Sequence, residues 1–215
     1  MALETKICGI NSEAAMDAAI AGGAALVGLV FFARSARNLS LDRAAALAAR
    51  VPAGVRRVGL VVDEPDERLD EIMRAVPLDM LQLHGAETPE RVSAVRARYG
   101  KPVMKAIPVA TREDLALAER YVAVADRLLF DAKPPAAMAE ALPGGNALSF
   151  DWDLLGGRNW AKPWMLAGGL NAGNLADAVA RSGARRVDVS SGVEDRPGVK
   201  SPAKIEALLR LAATL

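Results

Sequence analysis

A regular alternation between two kinds of segment is the feature that most constrains the fold. Short runs rich in Val, Ile and Leu are predicted strands, at 5–9, 26–30, 57–62, 79–83, 103–107, 127–131, 163–167 and 186–190. Ala-rich segments with helical spacing lie between them, among them 12–22, 40–51, 88–99, 111–124 and 171–182. Near-continuous apolar strands joined by helical crossovers are typical of a parallel sheet buried on both faces.

Eight such units within 215 residues predict an α/β fold of the (β/α)₈ or TIM barrel type, at the small end of its size range. The main alternative is a doubly wound open sheet, which often carries a G-x-G-x-x-G turn after its first strand. The corresponding turn at 8–12 reads CGINS instead. No Pro/Gly/Ser-rich linker divides the chain, so we expect residues 1–215 to form a single barrel domain. The one long irregular stretch, 134–145, is predicted to be a functional lid or a poorly ordered loop.

Polar residues of the Ser, Thr and Asn types precede many of these helical segments, and glycines follow several of them. Such residues accept the free amides at a helix start, and glycine adopts the left-handed conformation that ends many helices. The predicted N-caps are Ser12, Ser40, Thr88, Thr111 and Asn171. The predicted residues just past helix ends are Gly22, Gly100 and Gly183.

Composition excludes several function classes. Apolar residues make up 52% of the chain, which is too many for a disordered protein. The formal net charge is +1, so we expect neither a nucleic-acid partner nor an acidic membrane surface. A single cysteine cannot form an internal disulfide, and no leader-like segment opens the sequence. We therefore expect a cytoplasmic protein.

In a (β/α)₈ barrel the active site forms where the strands end, so the residues at those positions are considered together. They are Cys8, 31–37, Asp63, 82–85, 105–108, 131–133, 168–169 and 190–192. They include a thiol, carboxylates, arginines and two glycine-rich turns. A purely structural rim would not need this mixture.

Two of these residues are candidates for proton transfer. Cys8 is the only cysteine and closes the first strand, although a lone cysteine is more often a small buried apolar residue. Asp131 directly follows an apolar run, where burial favours the protonated form that a general acid needs. An ion pair with Lys133, or a loop cap, is the alternative role for Asp131.

The two glycine-rich turns are candidate phosphate sites. Gly168 and Gly169 end the seventh predicted strand, and Ser190, Ser191 and Gly192 end the eighth. Glycine lets backbone amides approach an anion closely, and barrels commonly bind phosphate after strands seven and eight. Two ordinary glycine turns are the alternative interpretation.

Arg37 follows the second strand, near Phe31 and Phe32. An arginine beside apolar rings can hold an aromatic carboxylate, whereas a solvated surface arginine is the default interpretation. His84 is the only histidine, so we expect no metal site around it and favour a structural hydrogen-bonding role.

Six motifs together resemble the phosphoribosylanthranilate isomerases of tryptophan biosynthesis. They are KICGI at 6–10, QLHG at 82–85, FDAK at 130–133, FDW at 150–152, LAGGL at 166–170 and DVSSGVE at 188–194. They occur in order over essentially the whole chain. The resemblance implies a (β/α)₈ barrel that needs no cofactor. It also implies an Amadori rearrangement of N-(5-phosphoribosyl)anthranilate to the carboxyphenylamino-deoxyribulose phosphate.

The family's residue roles apply where the motifs match. The resemblance implies that Cys8 is the general base, Asp131 the general acid and Arg37 the ligand of the anthranilate carboxylate. It implies phosphate binding by Gly168, Gly169, Ser190, Ser191 and Gly192. We place Lys6 and His84 with the substrate-binding residues, and we hypothesise that Lys6 stabilises a Cys8 thiolate, since strand alternation puts both on one face. The expected partner is a small phosphorylated substrate, with the chain a monomer or a homodimer.

Other interpretations stay open at this point. A related sugar-phosphate barrel, such as an indole-glycerol-phosphate synthase or a histidine-pathway isomerase, would keep both phosphate turns but needs a different catalytic set. The synthase needs a strand-end lysine and glutamate, and the isomerase needs a pair of catalytic aspartates. A non-catalytic barrel that binds a phosphorylated ligand would show no turnover.

Overall fold

A computed structural model describes residues 3–135, 142 and 144–215 of the chain. Within these residues eight parallel strands pair in chain order, and the last pairs with the first to close a barrel. The strands are β1 (Glu4–Cys8), β2 (Leu26–Phe31), β3 (Arg56–Val61), β4 (Met80–Leu83), β5 (Val103–Val109), β6 (Arg127–Ala132), β7 (Trp164–Leu166) and β8 (Arg186–Val189). The predicted (β/α)₈ barrel is confirmed, and the open sheet is excluded.

Helices follow most strands and cover the outside of the barrel. They are α1 (Glu13–Ala21), α2 (Leu41–Ala49), α3 (Asp66–Ala75), α4 (Pro89–Tyr99), α5 (Asp114–Glu119), α6 (Leu175–Ser182) and α7 (Pro202–Ala212). Between β6 and β7 the described residues hold a 3₁₀ turn at Trp152–Leu154. The predicted loop at 134–145 lies partly outside the described residues.

A short antiparallel hairpin that the sequence analysis did not predict follows β8. Its strands are β9 (Glu194–Arg196) and β10 (Val199–Lys200). It brings charged side chains back toward the end of the barrel from which β8 emerges.

The barrel interior is packed rather than open. One compact apolar cluster is contributed by alternate positions of the strands: Leu26, Val58, Met80, Met104, Ala106, Leu129, Met165 and Ala167. A second, larger cluster joins the outer faces of the strands to the helices. Burial of apolar surface stabilises the fold by roughly 25 cal/mol per Å². The barrel is therefore a rigid base for side chains at its rim.

Three of the predicted N-caps are confirmed. The hydroxyls of Ser12, Ser40 and Thr88 accept backbone amides three residues on, at 3.3, 3.2 and 3.3 Å. Gly100 and Gly183 end α4 and α6 in the left-handed conformation. Each of these residues satisfies backbone groups that a helix end would otherwise leave unpaired.

The predictions for Thr111 and Asn171 are wrong, because both helices begin about one turn later than expected. The Asp114 carboxylate accepts the amides of Ala110 and Thr111 at 2.9 and 3.0 Å, which holds those residues in a turn. Asn174 likewise accepts the Asn171 amide at 2.8 Å. Asp and Asn side chains compete with the helix for local amides in this way.

Gly100→Ala tests the C-cap of α4. Gly100 has φ 59°, and a methyl group there would meet no atom within 4 Å, so only backbone strain opposes the change. We expect Gly100→Ala to lower the free energy of unfolding by about 1–2 kcal/mol. Gly100→Asn should lose less, because Asn tolerates the left-handed region. Urea unfolding measures both variants, and equal losses would contradict this explanation.

Candidate active site

A cavity opens at the end of the barrel where the strands finish. Its walls include most of the predicted site residues: Cys8, Arg37, His84, Asp131, Gly168, Gly169, Ser190 and Ser191. Lys6 and Gly192 are not among the residues that line it. Lys6 is fully buried, and Gly192, in the turn after β8, packs against Leu170. The rim positions thus converge on one cavity.

Cys8 is held at the end of β1 and is only 4% exposed. Its partner in the register of β2 is Gly28, where a methyl group would come within 2.8 Å of the Cys8 Sγ. The glycine therefore leaves the space that the thiol occupies. The pairing of β1 with β2 holds the Cys8 backbone, and no side chain on residue 28 occupies the space of the thiol.

Burial raises the pKa of the Cys8 thiol above its ordinary value, and the nearby charge of Asp188 raises it further. Lys6 and, less strongly, Lys200 act in the opposite direction by favouring the thiolate. Removal of the thiolate from water therefore outweighs the two cations, and the stabilisation of a thiolate by Lys6 stays a prediction.

Lys6 forms a buried salt bridge with Asp188. Its Nζ donates to the Asp188 Oδ2 at 3.0 Å, and the two residues are register partners on β1 and β8. Burial opposes the charge of Lys6, but the attraction of Asp188 and Cys8 outweighs it and raises the pKa of Lys6. The second oxygen, Asp188 Oδ1, has no hydrogen-bond partner among the described residues.

A chain of hydrogen bonds from β4 to β6 positions Asp131. The Asp131 Oδ2 lies 3.1 Å from the His84 Nε2, and the His84 Nδ1 lies 2.8 Å from the Gln82 Nε2. The Asp131 Oδ1 accepts the Ala132 amide at 2.9 Å. His84 therefore has the hydrogen-bonding role that we favoured from the sequence. Gln82, fully buried, was named among the rim residues from the sequence but was given no role there.

The alternative pairing of Asp131 with Lys133 does not occur. Lys133 lies beyond the end of β6, and its half-exposed side chain donates to the Asp114 Oδ1 at 2.6 Å instead. Asp131 is 7% exposed and faces the cavity.

Arg37 is fixed by a carboxylate that the sequence analysis left without a role. Its Nε and Nη2 donate to the two oxygens of Glu194 at 2.7 and 2.8 Å. Within the described part of the chain its Nη1 donates to no acceptor, so this nitrogen is the one available to a ligand. Of the two phenylalanines expected near it, Phe32 lines the cavity, whereas Phe31 is buried in the core.

Glu194 also holds Lys200, at 2.7 Å, and Lys200 donates to the backbone oxygen and the hydroxyl of Ser190 at 2.9 and 3.2 Å. Burial favours the neutral form of Glu194, but Arg37 and Lys200 outweigh it and lower its pKa. Burial lowers the pKa of Lys200 despite the attraction of Glu194. The hairpin β9–β10 thus ties the arginine loop to the turn after β8.

The two glycine-rich turns pack directly against each other. Gly168 and Gly169 have φ values of 88° and 63°, and a methyl group on either would come within 3 Å of a backbone atom of the neighbouring loops. A methyl group on Gly192 would overlap the carbonyl oxygen of Leu170. Only glycine fits at these positions, so the two turns form one continuous surface.

The segment 144–148 lines the cavity, and its first two residues belong to the stretch 134–145 that was predicted to be a functional lid or a poorly ordered loop. A methyl group on Gly144 would come within 2.7 Å of both the Asp131 Oδ2 and the His84 Nε2. Gly145 accepts a long hydrogen bond from the Arg37 Nη2 at 3.4 Å. Two consecutive glycines beside a predicted active-site loop are the signal that would have indicated this close approach.

The described residues contain no group of three or more His, Cys, Asp or Glu side chains able to hold a metal ion. No helix among them has both the length and the apolar character needed to cross a membrane.

The chain is a closed (β/α)₈ barrel, and one cavity at the ends of its strands is lined by a thiol, a carboxyl group and two glycine turns. This arrangement is typical of barrel enzymes. The family model described as N-(5′-phosphoribosyl)anthranilate (PRA) isomerase matches residues 5–210. The chain belongs to this family and is an isomerase, so the resemblance in its motifs is confirmed.

Similar proteins carry the same name over the full length. A relative from Rhodospirillum centenum, named N-(5′-phosphoribosyl)anthranilate isomerase, is 60% identical and covers 100% of both chains. One from Cereibacter sphaeroides is 59% identical over 98% of each. A solved phosphoribosyl anthranilate isomerase from Thermotoga maritima superposes with a TM-score of 0.87 at 33% identity, covering 99% of this chain and all of that one.

Lys6→Met tests the buried salt bridge. It removes one partner and leaves the Asp188 charge buried, so we expect the free energy of unfolding to fall by about 3–5 kcal/mol. The double variant Lys6→Met with Asp188→Asn leaves no charge and should recover much of that loss. Urea unfolding compares the variants, and a double variant no more stable than the single one would contradict the pairing.

Proposed function

We propose that this chain converts N-(5′-phosphoribosyl)anthranilate into 1-(2-carboxyphenylamino)-1-deoxyribulose 5-phosphate in tryptophan biosynthesis. The reaction is a cofactor-free Amadori rearrangement, an aldose-to-ketose isomerisation. The observation that carries the proposal is the placement of Cys8 and Asp131 in one cavity with Arg37 and the two glycine turns. A solved phosphoribosyl anthranilate isomerase, 32% identical with a TM-score of 0.85, is in complex with reduced 1-(o-carboxyphenylamino)-1-deoxyribulose 5-phosphate, which supports the substrate class.

The substrate's two anionic ends have separate partners in this arrangement. The anthranilate carboxylate binds the Arg37 Nη1, and its ring packs on Phe32. The phosphate binds the amides and hydroxyls of the turns after β7 and β8, where glycine permits close approach. The ribose then lies between Cys8 and Asp131, which line the cavity with both anion sites.

Asp131 acts first, as general acid. Its carboxylic acid proton goes to the ring oxygen, the bond from C1′ to that oxygen breaks, and the nitrogen lone pair forms a protonated imine. His84 keeps the carboxyl group in place through the 3.1 Å contact with its Nε2.

Cys8 acts second, as general base. Its thiolate takes the proton from C2′, and the electron pair of that bond moves toward the imine to form an enolamine. The enolamine becomes the ketone when C1′ gains a proton and the C2′ hydroxyl loses one. A raised thiol pKa makes the thiolate a stronger base, and Lys6 and Lys200 keep a fraction of it available.

Cys8→Ala and Asp131→Asn test the two roles. General acid–base catalysis contributes about 10²–10⁴-fold, so we expect each change to lower kcat by about that factor. The fall in phosphoribosylanthranilate fluorescence measures turnover. Lys133→Met is the matched control outside the cavity and should retain normal activity. Full activity in both variants would refute the roles, and an inactive wild type would refute the function.

Gly192→Ala tests the phosphate turns. The added methyl group overlaps the Leu170 carbonyl, so the turns must move apart and phosphate contacts are lost. We expect KM to rise about tenfold or more, the loss of one charge-assisted hydrogen bond. The inhibition constant of inorganic phosphate should rise in parallel. Gly183→Ala, which strains a helix end away from the cavity, is the control that should leave both constants unchanged.

A further inference from the structure

Asp188 has a carboxylate oxygen with no role in the mechanism above. The Asp188 Oδ2 accepts the proton of Lys6 at 3.0 Å, whereas Oδ1 is buried and meets no donor among the described residues. Buried carboxylate oxygens in native proteins nearly always have a hydrogen-bond partner. Asp188 is only 7% exposed. Its unpaired Oδ1 therefore indicates that a bound ligand supplies the hydrogen-bond donor.

The position of Asp188 suggests which part of a ligand it meets. Asp188 lines the same cavity as Cys8. Its register partner on β1 is Lys6, and Cys8 is two residues further along the same face of that strand. Asp188 and Cys8 therefore belong to one wall of the cavity, where β1 pairs with β8.

The charges around this oxygen restrict the ligand group further. A carboxylate held by a buried lysine accepts hydrogen bonds and donates none. It repels the phosphate and the anthranilate carboxylate, which leaves the sugar hydroxyls as suitable donors. The hydroxyl nearest to Cys8 is the one on C2′, because Cys8 removes the proton of that same carbon.

We propose that Asp188 is a positioning residue that accepts a hydrogen bond from the C2′ hydroxyl of the substrate through Oδ1. The inference rests on the proposed function. With the hydroxyl held by Asp188, the other substituents of C2′ have one orientation, and its hydrogen faces Cys8. Lys6 then has two effects, since it holds Asp188 in place and favours the thiolate.

The same charge has an opposing effect on the base. Asp188 disfavours the Cys8 thiolate, whereas Lys6, Lys200 and Arg37 are the cations near the thiol. The pairing with Lys6 explains why Asp188 is charged, and it leaves Oδ1 as the atom that can accept a hydrogen bond from substrate.

Binding of two probes tests the proposal. One is reduced 1-(o-carboxyphenylamino)-1-deoxyribulose 5-phosphate, which carries a hydroxyl on C2, and the other is the same compound without that hydroxyl. For the wild type we expect the deoxy probe to bind about 10–100-fold more weakly, the usual effect of one hydrogen bond to a charged group.

In Asp188→Asn the difference between the probes should become much smaller, because a neutral amide NH₂ can only donate a weaker hydrogen bond to the hydroxyl oxygen. The single amide oxygen is drawn to Lys6, which leaves an NH₂ group in the place of Oδ1, and that group cannot accept a hydroxyl proton. Asp177→Asn, on the exposed face of α6, is the control that should keep the wild-type difference. If Asp188→Asn does not fold, the double variant Lys6→Met with Asp188→Leu replaces it, because it leaves neither an unpaired charge nor an acceptor, and the same loss is expected.

Equal affinity of the wild type for both probes would overturn the proposal, and so would an undiminished difference in the Asp188 variants. These outcomes are separate from a failure of the proposed function. A wild type that turns over phosphoribosylanthranilate but ignores the C2 hydroxyl refutes only the role of Asp188. A wild type that neither turns over substrate nor binds either probe refutes the function itself.

Discussion

The pairing of β1 with β8 is the constraint on which the rest of this structure depends. These strands are the first and last of the barrel, and closure brings together side chains such as Lys6 and Asp188 that lie 182 residues apart. Cys8 stands at the end of one of them and the β8 turn at the end of the other. An open sheet would leave the base, its neighbouring charges and half of the anion site on separate edges.

A second constraint is that each charged side chain buried at the rim needs a partner of opposite charge, and one carboxylate serves two cations. Glu194 is the common partner of Arg37 and Lys200, and Lys200 continues to Ser190. Buried charges are costly unless they are paired and hydrogen-bonded. Two cations around one carboxylate leave a local positive charge, which favours an anion beside Arg37. One buried carboxylate therefore fixes the arginine loop and the β8 turn together.

The sequence predicted the barrel and its rim well, because both depend on local patterns. Short apolar runs mark strands, and strand ends mark the rim whichever helices lie between. The starts of α5 and α6 were missed because Asp114 and Asn174 capture nearby amides, a competition that helix periodicity does not reveal. An ion pair between Lys133 and Asp131 was the alternative prediction because the two residues are close in sequence. The Lys133 side chain instead binds Asp114 at the start of α5.

The contacts in the site that the sequence did not predict join residues that lie far apart along the chain. Gln82 is connected to Asp131 only through His84, and Glu194 meets Arg37 only because the hairpin β9–β10 folds back. Gly144 approaches Asp131 from a segment with no regular secondary structure. No pattern along the chain indicates these contacts, because they depend on how the closed barrel and its loops bring distant segments together.

These charges also explain how, in the proposed mechanism, a buried thiol serves as the base for a ligand that carries both a phosphate and a carboxylate. Burial and Asp188 already raise the pKa of Cys8, and an incoming phosphate and carboxylate would suppress the thiolate further if their charges reached it. In the proposal, Arg37 lies at one anion site, and the turn held by Lys200 forms part of the other. These two cations then offset the charge of the ligand before that charge affects the thiol. Cys8 therefore owes its proposed reactivity to residues at both ends of the cavity.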